Sequence, residues 1–123
     1  MNKELIYKDL DGLLSTLNLI QEEQSAIKLK LSDLLDNLVS NQFIAWAEET
    51  HQQILNREAA LQLLKKDIIA LKKTIVQKKS IIYFFDNQYA RLVTKYKKQI
   101  IYLDNEFKHW SKATIEKFAS IVF

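Results

Sequence analysis

Leu5-Ile6-Tyr7-Lys8-Asp9-Leu10-Asp11-Gly12-Leu13-Leu14-Ser15-Thr16-Leu17-Asn18-Leu19-Ile20 carries the pattern that decides the fold. Within it Ile6, Leu10, Leu13, Leu17 and Ile20 are spaced alternately by four and three residues, and the same steps continue through Gln24, Ile27, Leu31, Leu34 and Leu38. Such steps return a side chain to one stripe of an α-helix every seven residues, whereas a strand repeats every two. The stretch therefore predicts a coiled-coil-like seam, in which Gln24 is the only position that is not aliphatic. A helix from about Lys3 to Val39 follows, about 55 Å long at 1.5 Å per residue. Ser40-Asn41-Gln42 is the best break after it, because Ser and Asn suit turns and helix caps.

Two further seams extend the habit. The second runs through Phe43, Ala47, Thr50, Ile54, Arg57, Leu61, Leu64, Ile68, Leu71 and Ile75. The third takes in Ile82, Phe85, Tyr89, Leu92, Tyr96, Ile100, Leu103, Phe107 and Trp110, with two consecutive steps of four around Tyr96 that relax the supercoil locally. Ser111 is a candidate cap for a short fourth helix carrying Ile115, Phe118 and Ile121. The second turn has two candidate positions, Ser80 and Asp86-Asn87, since the apolar phase continues through both. Three segments of matched length predict an all-α, antiparallel, up-down-up three-helix bundle in a single domain over residues 1–123. The rival is one unbroken helix from about Asn41 to Trp110, pairing between chains. In the bundle, folding back at residues 40–41 brings Gln24 level with Arg57, the only long polar side chains of the first two seams. A polar layer formed by that pair would set helix register. The same geometry gathers Phe43, Trp46, Phe107 and Trp110 near one end.

Composition narrows the function classes. One glycine among 123 residues cannot build a phosphate-cradling loop, a dinucleotide fingerprint or a nucleophile elbow. No cysteine means no disulfide, no thiolate zinc site and no thiol catalysis. With no proline either, the chain lacks the turn residues that a sheet protein needs at short intervals. At 48% hydrophobic it is too apolar for an intrinsically disordered chain. The longest apolar run, Ile81-Ile82-Tyr83-Phe84-Phe85, is far short of the ~20 residues that span a bilayer, and the first ten residues hold no secretory apolar core. A cytoplasmic protein without a transmembrane segment is expected.

Three constellations invite a functional reading. Glu48/His51 and Glu106/His109 are Glu-x-x-His pairs of the kind that di-iron bundles point inward. At 100° per residue, however, His109 lies far round from Phe107 and Glu48 far round from Ala47, so solvated side chains are the expectation. Charge is also uneven. Residues 1–64 hold five basic and ten acidic groups, whereas residues 65–98 hold ten basic and two acidic, +8 in a chain of net +3. Lys65, Lys66, Lys72, Lys73, Lys78 and Lys79 form a candidate basic patch for a nucleic acid or an anionic membrane surface. Against it, Lys65 and Lys72 flank the seam, where they would snorkel toward an acidic first helix. Sixteen of the eighteen basic residues are also lysine, whereas nucleic-acid binders favour arginine. The third is Ile81–Phe85. A narrow helical stripe cannot bury five consecutive large apolar side chains. Ile81, Tyr83 and Phe84 are therefore a candidate interaction surface. Gly12, beside the first seam, costs about 1 kcal/mol against alanine, for which a close backbone approach is one reason.

The stretch from His51-Gln52-Gln53-Ile54-Leu55-Asn56-Arg57-Glu58 through Leu64-Lys65-Lys66-Asp67-Ile68 resembles a segment of small bacterial helical proteins of no assigned function. In those proteins it follows a long first helix, and a later helix ends in an aromatic stretch that Phe107-Lys108-His109-Trp110 resembles. The residues after Trp110 depart from the pattern. The resemblance implies a coiled-coil-like helical fold and no active site. The expected function is that of a non-enzymatic interaction or structural protein without cofactor, recognising a protein partner or a second copy through helix surfaces. The alternative is polyanion binding through residues 65–98, and a metal-binding bundle comes third.

Overall fold

A computed structural model describes residues 3–37, 41–77 and 83–122, with side chains described over 6–37, 42–75 and 88–120. All of the described residues are helical, in α1 (Lys3–Asn37), α2 (Asn41–Gln77) and α3 (Tyr83–Val122). α1 ends at Asn37 and Asn41 begins α2, while Ser40 of the expected break lies outside the described residues. α2 and α3 are separate helices packed on one another within one chain, so the unbroken helix from 41 to 110 does not form. Asp86 and Asn87 lie inside α3, so the second turn is not there; the other candidate, Ser80, lies outside the described residues.

Cross-helix pairs define direction and level. From α1 to α2, Lys28 meets Glu58 at 3.0 Å, Gln21 accepts from Lys65 at 3.5 Å, and Asp11 pairs with Lys72. Residue numbers fall along one helix as they rise along the other, so α1 and α2 run in opposite directions. From α2 to α3, Trp46 packs edge-on against Phe118 with ring centroids 5.6 Å apart. Gln53 accepts from Trp110 at 2.9 Å, and Arg57 pairs with Glu106, in the same opposed sense. Asp9 and Lys97, 3.1 Å apart, tie α1 to α3.

The seams form the core. Ile6, Leu10, Leu17, Ile20, Gln24, Ile27 and Leu31 are buried from α1, and Ala47, Thr50, Ile54, Leu61, Leu64, Ile68, Leu71 and Ile75 from α2. Each fully buried Leu or Ile contributes about 1.5–3 kcal/mol of transfer free energy. α3 departs from the expected register in two places. Val93 is buried where Leu92 was expected to be, absorbing the irregular step near Tyr96 one turn earlier. The helix also runs on through Ser111 without a break, so no fourth helix starts there. Ser111 Oγ donates to the Lys108 carbonyl at 3.2 Å, and Thr114 Oγ to the Trp110 carbonyl at 2.8 Å, both as residues within a helix. Phe118 is buried as expected, and with it Thr114, while Ile115 is about half exposed. Nothing lies within 4 Å of where a Cβ on Gly12 would stand, so no close approach requires that glycine.

Candidate cleft between α2 and α3

α1 packs along both of its neighbours, whereas α2 and α3 approach one another only sparsely. The result is a cleft between α2 and α3 with α1 as its floor. Its upper part, about 470 Å³, has Ile20 and Gln24 of α1 beneath it. One wall is Gln53, Asn56, Arg57, Ala60 and Leu61 of α2, and the other is Leu103, Glu106, Phe107 and Trp110 of α3. Ala60 and Leu103 also border a second hollow of about 330 Å³, which continues past Leu63, Leu64, Asp67, Gln99 and Tyr102. Two open hollows with shared walls make a groove along the helix axes rather than a closed pocket.

Polar chemistry concentrates at its upper end. Arg57 occupies a seam position, but its guanidinium turns out of the core to pair with Glu106 through both nitrogens, one at 2.6 Å. The same guanidinium stacks 4.4 Å from the centroid of Trp110, whose indole N–H donates to Gln53. A bidentate carboxylate pair with an aromatic face beside it is the arrangement to which a planar guanidinium is suited. Gln24 is level with Arg57, as the fold-back at residues 40–41 predicts, yet the two do not pair. Gln24 is 1% exposed, and neither its Oε1 nor its Nε2 has a hydrogen-bond partner among the described residues. Glu106 wins the guanidinium because an ionised carboxylate is a stronger acceptor than a neutral amide. The predicted cluster of Phe43, Trp46, Phe107 and Trp110 is likewise divided in two. Trp46 meets Phe118 and Phe43 lies under Lys117, while Phe107 and Trp110 pack together about two turns away.

The residues singled out from sequence scatter. Ile81 lies outside the described residues, as do Lys78 and Lys79. Tyr83 and Phe84 begin α3, with their side chains outside the description. The basic patch divides between two sides of α2. Lys65 donates to Gln21, and Lys72 pairs with Asp11 and stands 4.4 Å from the Tyr7 ring centroid, both turned toward α1, whereas Lys66 and Lys73 are exposed. The hydrogen bond to Asp11 holds the Lys72 ammonium above its ordinary pKa. Of the Glu-x-x-His pairs, Glu48 and His109 are exposed and Glu106 is engaged by Arg57. Among the described residues no three His, Asp or Glu side chains gather where they could hold a metal ion, and no helix is long and apolar enough to cross a membrane.

Sequence reading missed the groove and its two exposed apolar residues, Leu63 and Tyr102, which are 63% and 69% accessible. A signal for them exists. Both sit one position outside their seam, in Leu61-Gln62-Leu63-Leu64 and Ile100-Ile101-Tyr102-Leu103, where apolar residues exceed what one stripe can bury. No protein-family model, no curated protein and no solved structure matches the chain.

Proposed function

We propose that the protein is a non-enzymatic helix-binding module, in which the groove between α2 and α3 receives an amphipathic helix. One observation carries this reading: α1 packs along both neighbours, while α2 and α3 approach one another closely at few points. That is the layout of three corners of a four-helix bundle, with α2 and α3 as the diagonal pair. A helix laid in the fourth corner would cover Ala60, Leu63, Leu64, Tyr102 and Leu103, following the helix-in-groove mode of recognition. The division of the lysines supports this reading over polyanion binding, because Lys65 and Lys72 are already spent on α1.

The chain has no cysteine, so a single introduced one can carry a probe. With an environment-sensitive fluorophore on Ala60→Cys, a synthetic amphipathic peptide of about three heptads with leucine at its core positions should produce a saturable blue shift. The same label on Leu29→Cys, on the outer surface of α1, should not respond. Equal responses at both positions, or none at Ala60, would refute the reading.

A further inference from the structure

We infer that the helix received by the groove carries one carboxamide side chain, a glutamine at a core position, which pairs with Gln24 at the floor of the upper hollow. This rests on the groove being a helix-binding surface and names the chemistry that selects its occupant. Gln24 is 1% exposed, borders that hollow, and has neither Oε1 nor Nε2 hydrogen-bonded among the described residues. An unpaired buried amide is a standing cost to the free chain. The groups around the hollow are already committed or apolar. Glu106 holds the Arg57 guanidinium, Gln53 accepts from the Trp110 indole, and Leu61, Leu103 and Phe107 have nothing polar to give. The described side chains of the three helices leave the amide unanswered, and the fourth corner is the open side from which an answer can come.

The partner's chemistry follows from what the hollow offers. Arg57 and Glu106 neutralise one another, so it calls for no counter-ion. A carboxylate or ammonium entering it would shed its hydration and find the one cation and the one carboxylate already paired. Gln24 presents an acceptor oxygen and a donor NH₂ side by side, which a second primary carboxamide meets with both of its own. Its flexible side chain lets the amide turn toward a group arriving in the hollow. Glutamine is the neutral carboxamide with the longer reach to that floor. The apolar tier lies next along the groove. Leu64 and Gln99 border the lower hollow one heptad from Arg57 and Glu106, about 10 Å along the axes. The fitting helix is therefore apolar where it crosses Leu63, Leu64 and Tyr102, and bears its amide one heptad away toward Arg57. In coiled coils a single buried amide layer of this kind sets register and partner at some cost in stability.

Calorimetric titration of the unlabelled chain tests the pairing. The all-leucine peptide is compared with a series in which one core leucine at a time becomes glutamine, each against the wild type and Gln24→Leu. The best-placed glutamine peptide should bind the wild type at least as tightly as the all-leucine one. Gln24→Leu should reverse that order, changing the ratio of the two dissociation constants at least tenfold, or about 1.4 kcal/mol. If Gln24→Leu alters helicity by circular dichroism, Gln24→Met takes its place. The Gln24 side-chain NH₂ resonance, assigned by its loss in the variant, should shift further with that glutamine peptide than with the all-leucine one. If every glutamine peptide is weaker than the all-leucine one by the same factor in both chains, Gln24 does not read the occupant. That result overturns the proposal and leaves the groove standing. Free acetamide that binds saturably and moves the same resonance as far would also overturn it, since the helix would then not be the carrier. Failure of every peptide to bind either chain removes the groove as well.

Discussion

At the scale of single residues, two seam positions that read alike behave differently. Gln24 and Arg57 are each the long polar intruder in an aliphatic stripe. Arg57 escapes because its side chain is long enough to carry the charge to Glu106 at the cleft's edge, while Gln24 stays buried with its amide unpaired among the described residues. A buried amide without a partner costs about 1–3 kcal/mol. Gln24→Leu, of similar volume, should therefore raise the unfolding free energy by about 1 kcal/mol or more, read as a higher urea midpoint at unchanged m-value. A double-mutant cycle should find coupling of about 1 kcal/mol between Arg57 and Glu106, and nearly none between Arg57 and Gln24. The two residues' common level was legible from the spacing of the seams. Which acceptor the guanidinium takes was not, because Glu106 is 49 residues away and only the docking of α3 brings it near.

Among the elements, α3 shows where heptad reading succeeds and where it slips. Tyr89, Ile100, Phe107 and Phe118 are core as expected, but Val93 and Thr114 are buried in place of Leu92 and Ile115. Ser111 looks like a cap in sequence because serine favours that position. With no glycine or proline near it, nothing ends the helix, and an in-helix hydroxyl bond to the Lys108 carbonyl answers its polarity. Ser111→Pro distinguishes the two situations. In a continuous α3 it removes a helix hydrogen bond beside the Trp110 contact and should cost about 3 kcal/mol or more. At a helix start it would cost little. Thermal melting followed by circular dichroism reads the difference.

For the molecule as a whole, α1 is the element the other two share, and its ties to α2 give stability a sign with pH. Lys72 has its pKa raised by the hydrogen bond to Asp11, and Tyr96 has its pKa raised by burial and then by the nearby charge of Asp67. For both groups the folded chain favours the protonated form. Their contribution is therefore complete below the ordinary values of 10.5 and 10.0 and is lost as pH rises past them. The urea midpoint should fall above about pH 10, and Lys72→Met should flatten part of that fall. A midpoint that stays level from pH 9 to 11.5 would contradict this.

What the sequence by itself determined is the class of the fold. Three heptad stripes, uninterrupted by proline and by all but one glycine, leave the chain no alternative to long helices with one apolar face each. The start of α2 and most of the core follow from that, because hydrophobic period and backbone geometry are local properties, whereas the end of α3 does not, since it runs twelve residues past the expected break after Trp110. The tertiary structure alone decided how evenly the three helices share their contacts. A stripe says that a helix has a buried face, but not how its width divides between two neighbours. That division depends on side chains meeting across distances of 30 to 90 residues, as in Lys28–Glu58 and Asp9–Lys97. Here it favours α1 on both sides and parts α2 from α3, and the groove that results is the feature on which the molecule's function is argued.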